Sequence, residues 1–135
     1  MMRTVAYSGL SIAIAFFVML AFEFANSYLF PFPEGLDRMN LEAVRAFAQT
    51  LPASAYILVL LGWFFGSCAA GWALSRYLPT ATVLHVLVIG GFLTLNGVLN
   101  NLMLLHPWWV NLFGLPLFVI GSYAGYVAAK KYEQR

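Results

Sequence analysis

Four stretches of this chain, Val5–Phe22, Ala53–Leu74, Ala81–Leu105 and Trp108–Ala129, carry no Asp, Glu, Lys or Arg. Each is about as long as the ~20 residues that a helix needs to cross a ~30 Å hydrocarbon core. In that layer only the chain itself can satisfy its backbone N–H and C=O groups, so the stretches read as helices. Composition agrees, because 135 residues that are 62% hydrophobic and 9% charged cannot supply the polar surface of a soluble domain. The expected fold is all-α: an integral membrane bundle of four transmembrane helices, with a short amphipathic helix between the first and second. One domain, 1–135, should hold helices near 4–29, 52–76, 80–105 and 107–131, with residues 30–51 outside the membrane.

The first stretch is too long for a secretory leader and no small-residue cleavage pattern follows it, so it is expected to remain as a span flanked by Arg3. Positive charges then set the orientation. Arg3, Arg76, Lys130, Lys131 and Arg135 fall on one side, against Arg38 and Arg45 on the other. By the positive-inside rule both termini are cytoplasmic and residues 30–51 face outward. The basic tail fits anionic headgroups rather than nucleic acid, and the lone Cys68 excludes an internal disulfide.

Residues 30–51 begin with Phe30-Pro31-Phe32-Pro33-Glu34-Gly35, which must be extended or turned, since each proline pushes its predecessor away from helical angles. From Asn40, an N-cap residue, the spacing places Leu41, Val44, Phe47, Ala48 and Leu51 on one face. That pattern predicts a short helix lying on the membrane surface or capping the bundle.

Small residues recur at intervals of four in the second span (Gly62, Gly66, Ala70) and the fourth (Gly121, Gly125). Lacking bulk, such faces let another backbone approach closely. Packing within the bundle is the first expectation and a dimer seam the second.

One carboxyl, several amides and one histidine fall at a single level near the ends of the apolar stretches. Glu23 lies about 28 Å along the first helix, near the outer edge of the hydrocarbon layer. Asn26 follows it, and Asn96, Asn100 and Asn101 close the third span just before His106-Pro107-Trp108-Trp109 and Asn111. Lipid offers these groups no hydrogen-bond partner, so they should point at other helices or at a wet crevice. Either the amides fasten helices to one another, or Glu23, Asn26, Asn96, Asn100, Asn101, His106, Trp109 and Asn111 surround a small outward-facing pocket. The other histidine, His85, sits near the opposite boundary and is expected to be a neutral, hydrogen-bonded structural group.

The FPFPEGLD stretch, the small-residue second span, and the asparagine-rich end of the third span running into His106-Pro107-Trp108-Trp109 together resemble a family of small bacterial four-helix integral membrane proteins with no assigned activity. The resemblance covers nearly the whole chain and implies a bacterial inner (cytoplasmic) membrane. In that family a histidine often follows the glutamate by four positions and a proline precedes the His-Pro pair; here those positions hold Ser27 and Leu105. The first departure removes a neighbour that a metal site at Glu23 would use.

Phosphate-cradling glycine loops, Cys-x-x-Cys and His-Glu-x-x-His are absent from the sequence. No catalytic residue, metal or cofactor is therefore assigned. Three functions stay open: a non-enzymatic accessory module that assembles with itself or with a larger membrane complex; a binder or transporter of a lipid, quinone or neutral solute through the outer pocket; and a membrane enzyme using Glu23 or His106 as general base. The first is the leading expectation.

Overall fold

A computed structural model describes residues 2–133, so Arg135 of the basic tail lies outside the described residues. The chain is all-helical, with α1 Met2–Leu29, α2 Leu41–Thr50, α3 Ala53–Tyr77, α4 Val83–Leu104 and α5 Trp108–Glu133. Four of these, α1, α3, α4 and α5, are long and apolar enough to cross a membrane. Large apolar side chains such as Phe17, Phe24, Phe65, Leu84, Val88 and Phe113 point outward from them. A surface of that kind is stable in lipid and unfavourable in water.

α4 starts at Val83 rather than near residue 80. Pro79 is followed by a turn in which Ala81 N–H donates to Leu78 O at 2.8 Å, and Thr82 takes the extended N-cap conformation. His85 reaches back to accept the Thr82 N–H at 3.2 Å, which occupies an amide at the open helix end.

α3 is the centre of the molecule. It packs on α1 along one side and on α5 along the other, whereas α4 rests mainly on α5 and hardly meets α1. The four spans thus run in the spatial order α1, α3, α5, α4, and the seam between the two outer members stays open. α1, with α3 on one side only, buries Ser11, Ala15 and Asn26.

The small-residue faces explain which contacts are tight. A Cβ added at Gly62 would stand 2.9 Å from Phe22 Cβ, and one at Gly66 would stand 2.7 Å from Met19 Cγ and 2.9 Å from Ala15 O, so this face belongs to α1. Cβ atoms at Gly121 and Gly125 would press on the main chain of α3, at 2.6 Å from Phe64 O and 2.7 Å from Trp72 N respectively. Ala70 is fully buried in the same helix. Both faces are spent inside one copy of the chain, and neither is available as a seam to a second. Around Pro116, which interrupts the α5 ladder, hydroxyls from neighbouring helices approach the backbone: Ser67 Oγ lies 3.3 Å from Leu117 O.

Residues 30–51 fold over the end of the bundle opposite the termini. Gly35 supplies a positive φ of 80° for the turn. Asn40 caps α2 as its sequence position implies, its Oδ1 accepting from Glu42 N–H at 3.1 Å and Ala43 N–H at 3.3 Å. Two side chains tie the cover down. Tyr56 of α3 donates its hydroxyl proton to Ala48 O, and Arg45 donates to Met103 O and, at 3.0 Å, to Leu102 O. Those carbonyls lie in the last turn of α4, where no intrahelical partner exists and the helix dipole is negative, so a guanidinium suits them doubly.

Candidate functional site

The polar residues near the covered end divide among three cavities. The largest, about 510 Å³, fills the open seam between α1 and α4. Its walls are Phe16, Met19 and Leu20 from α1 and Leu93 and Leu99 from α4, with Trp63 and Phe118 as a floor. Those two rings stack with centroids 4.9 Å apart. Glu23, Asn96 and Asn100 are its polar members, and helical rise puts all three toward the covered end. The result is a lateral cleft, apolar in its depth and polar at one end.

A second, smaller cavity of about 100 Å³ lies beneath the cover and is bounded by Glu23, Asn26, Phe47, Tyr56 and His106 among others. Glu23 and Leu104 line both spaces, so the two adjoin at these residues. The third cavity, about 340 Å³ between the ends of α4 and α5, takes Asn101, His106 and Asn111. The eight candidate residues therefore do not surround one pocket. Trp109 lines none of these cavities; it packs edge-on against Tyr56, with centroids 6.0 Å apart. Its neighbour Trp108 points outward, as an interfacial anchor would.

Hydrogen bonding separates the asparagines by role. Asn96 Nδ2 donates to Phe92 O of its own helix at 2.9 Å. Asn101, only 8% exposed, presents Oδ1 to His106 Nδ1. Among the described residues none of Asn26, Asn96, Asn100, Asn101 and Asn111 bonds to another spanning helix, and Asn26 Oδ1, Asn101 Nδ2 and Asn111 Oδ1 are buried with no partner. Orphaned amides of this kind cost free energy rather than supplying it, so they do not fasten helices.

His106 occupies the connection between α4 and α5. That connection is entered through Leu105, the one non-glycine residue with positive φ among those described (53°). With an amide oxygen facing Nδ1, that nitrogen carries the proton and Nε2 is the free acceptor. Tyr56 and Trp63 meet the imidazole edge-on, at centroid distances of 5.7 and 6.1 Å. Burial among them pushes the imidazole below its ordinary pKa of 6.5, which keeps it neutral at physiological pH.

Glu23 makes no hydrogen bond or ion pair among the described residues. Neither cavity that it lines contains a lysine or arginine. No group of three or more His, Cys, Asp or Glu converges anywhere among the described residues.

What sequence reasoning missed was Arg45 as the tie between cover and α4, and Trp63 with Phe118 as the cleft floor. A lone arginine on the polar face of a short helix between spans was the available signal for the first. The second depends on which helices neighbour one another and had none. No protein-family model, curated protein or solved structure matches this chain.

Proposed function

We propose that this protein binds an amphipathic small molecule of lipid-like shape in the cleft between α1 and α4. One observation carries the reading: the bundle is left open along that seam, and the space has apolar walls with Glu23, Asn96 and Asn100 at one end. An apolar chain entering sideways from the bilayer would find Leu, Phe and Met surface at no cost in polar desolvation, and a head group would meet the carboxylate and amides. An accessory module assembling through small-residue faces is the weaker reading, since those faces are already packed against α1 and α3. A general base at Glu23 or His106 is weaker still, for no nucleophile accompanies either group.

We infer further that both termini are cytoplasmic and that the α2 cover faces outward, on the strength of Arg3, Arg76, Lys130 and Lys131. The resemblance in sequence supports a bacterial inner membrane. A cysteine placed at Glu34, in a chain with Cys68→Ala, should react with an impermeant maleimide added to intact cells; labelling only after lysis would reverse the orientation.

Filling the cleft tests the binding reading. Leu20 and Leu99 line it and are 65% and 52% exposed, so enlarging both leaves the packed core untouched. Leu20→Trp with Leu99→Trp should expel the bound molecule while the fold persists.

A further inference from the structure

Resting on that cleft reading, we infer that the ligand's head group is cationic, an alkylammonium seated at Glu23 under the α2 cover with its chain in the lateral cleft. The two cavities adjoin at Glu23, and together they have the shape of such a molecule: a space of about 100 Å³ that admits a head group only, next to one of about 510 Å³ that admits a chain.

The chemistry of the smaller space sets the sign of the charge. Glu23 and His106 are the acidic and basic residues that line it, and His106 carries its proton on the Asn101 side, so its other ring nitrogen is an acceptor rather than a donor. The Tyr56 hydroxyl proton is spent on Ala48 O, which leaves that residue to offer its ring. No guanidinium or ammonium lines the space: Arg38 stacks over the Phe32 ring, 4.8 Å from its centroid, and Arg45 is bound to the Met103 and Leu102 carbonyls. A lining of aromatic rings and one carboxylate favours cations over anions. A carboxylate within a spanning helix is also costly unless it is protonated, hydrogen-bonded or paired. None of the described residues bonds or pairs with Glu23, and a positively charged ligand would hold it in its ionised form. The long apolar cleft favours an organic cation over a bare metal ion, as does the absence of a convergent His, Cys, Asp and Glu set among the described residues.

Three probes with the same tail separate the possibilities: dodecylammonium, dodecanol and dodecyl sulfate, each titrated onto the full chain in a maltoside detergent and followed as one-to-one adducts by native mass spectrometry. Dodecylammonium should give its adduct at a concentration at least tenfold below dodecanol, with dodecyl sulfate weakest. Glu23→Gln should erase the preference of amine over alcohol, with a circular dichroism spectrum that matches the wild type to show that the variant is folded. Equal adducts from amine and alcohol, or a preference that survives Glu23→Gln, would overturn the cationic head group while leaving the cleft in place. No specific adduct from any probe would overturn both.

Discussion

His106 shows how one side chain is tuned by what surrounds it. Tyr56 and Trp63 stand against the ring, Asn101 fixes its tautomer, and burial favours the neutral form. The consequence for stability has a definite sign. Because the folded pKa is below 6.5, the unfolded chain takes up a proton first as pH falls, so the stabilisation is complete above about 6.5 and is lost below it. Thermal unfolding in detergent should therefore drop more steeply from pH 7.5 to 5.5 in the wild-type chain than in His106→Gln. Each tenfold loss of proton affinity on folding is worth about 1.4 kcal/mol, which sets the scale of the difference; parallel curves would contradict the assignment. The sequence placed His106 at the right depth beside the asparagines, since helical rise and apolar run length fix depth. It could not show that Asn101 turns toward the histidine while Asn100, one residue earlier, turns to the cleft. A 100° rotation per residue separates neighbours, and only the packed partners decide which direction is inward.

At the scale of helices, the contacts are decided by glycine. Gly71 faces the Ser122 main chain of α5 so closely that a Cβ there would stand 2.7 Å from the Ser122 carbonyl carbon, while Gly91 of α4 has nothing within 4 Å. Gly71→Ala should lower stability by about 3 kcal/mol, as overpacking against a rigid backbone does. Gly91→Ala should be neutral or stabilising by up to about 1 kcal/mol, the helix-propensity difference. Denaturation of the two variants side by side checks this, and comparable losses would mean that α3 and α5 are not in contact at Gly71. The four-residue spacing of Gly62, Gly66, Gly121 and Gly125 made close packing legible, as did the proline and N-cap signals that bound α2. Which helix each glycine face meets was not legible, because a small-residue face is compatible with any smooth neighbour. The same limit hid the open seam: it is a property of helix order, and the order α1, α3, α5, α4 follows from shape complementarity among faces of nearly equal hydrophobicity.

The whole molecule combines a closely packed central pair, α3 with α5, and two outer helices, α1 and α4, that border the cleft and scarcely meet each other. That arrangement suits lateral entry, with the α1–α4 seam open while the α3–α5 contact holds the floor formed by Trp63 and Phe118. The α2 cover, tied to α4 by Arg45 and to α3 by Tyr56, closes the polar end. The binding function proposed for the cleft stands or falls on whether anything occupies it. The most direct measurement is a native mass spectrum of the full chain released from mild detergent, taken for the wild type and for Leu20→Trp with Leu99→Trp. The wild type should retain one amphipathic molecule per chain and the double variant none, with unchanged helical content. Equal retention by both proteins, or a wild-type chain that carries no such molecule from the membrane or after incubation with alkylammonium and alcohol probes, would contradict the account.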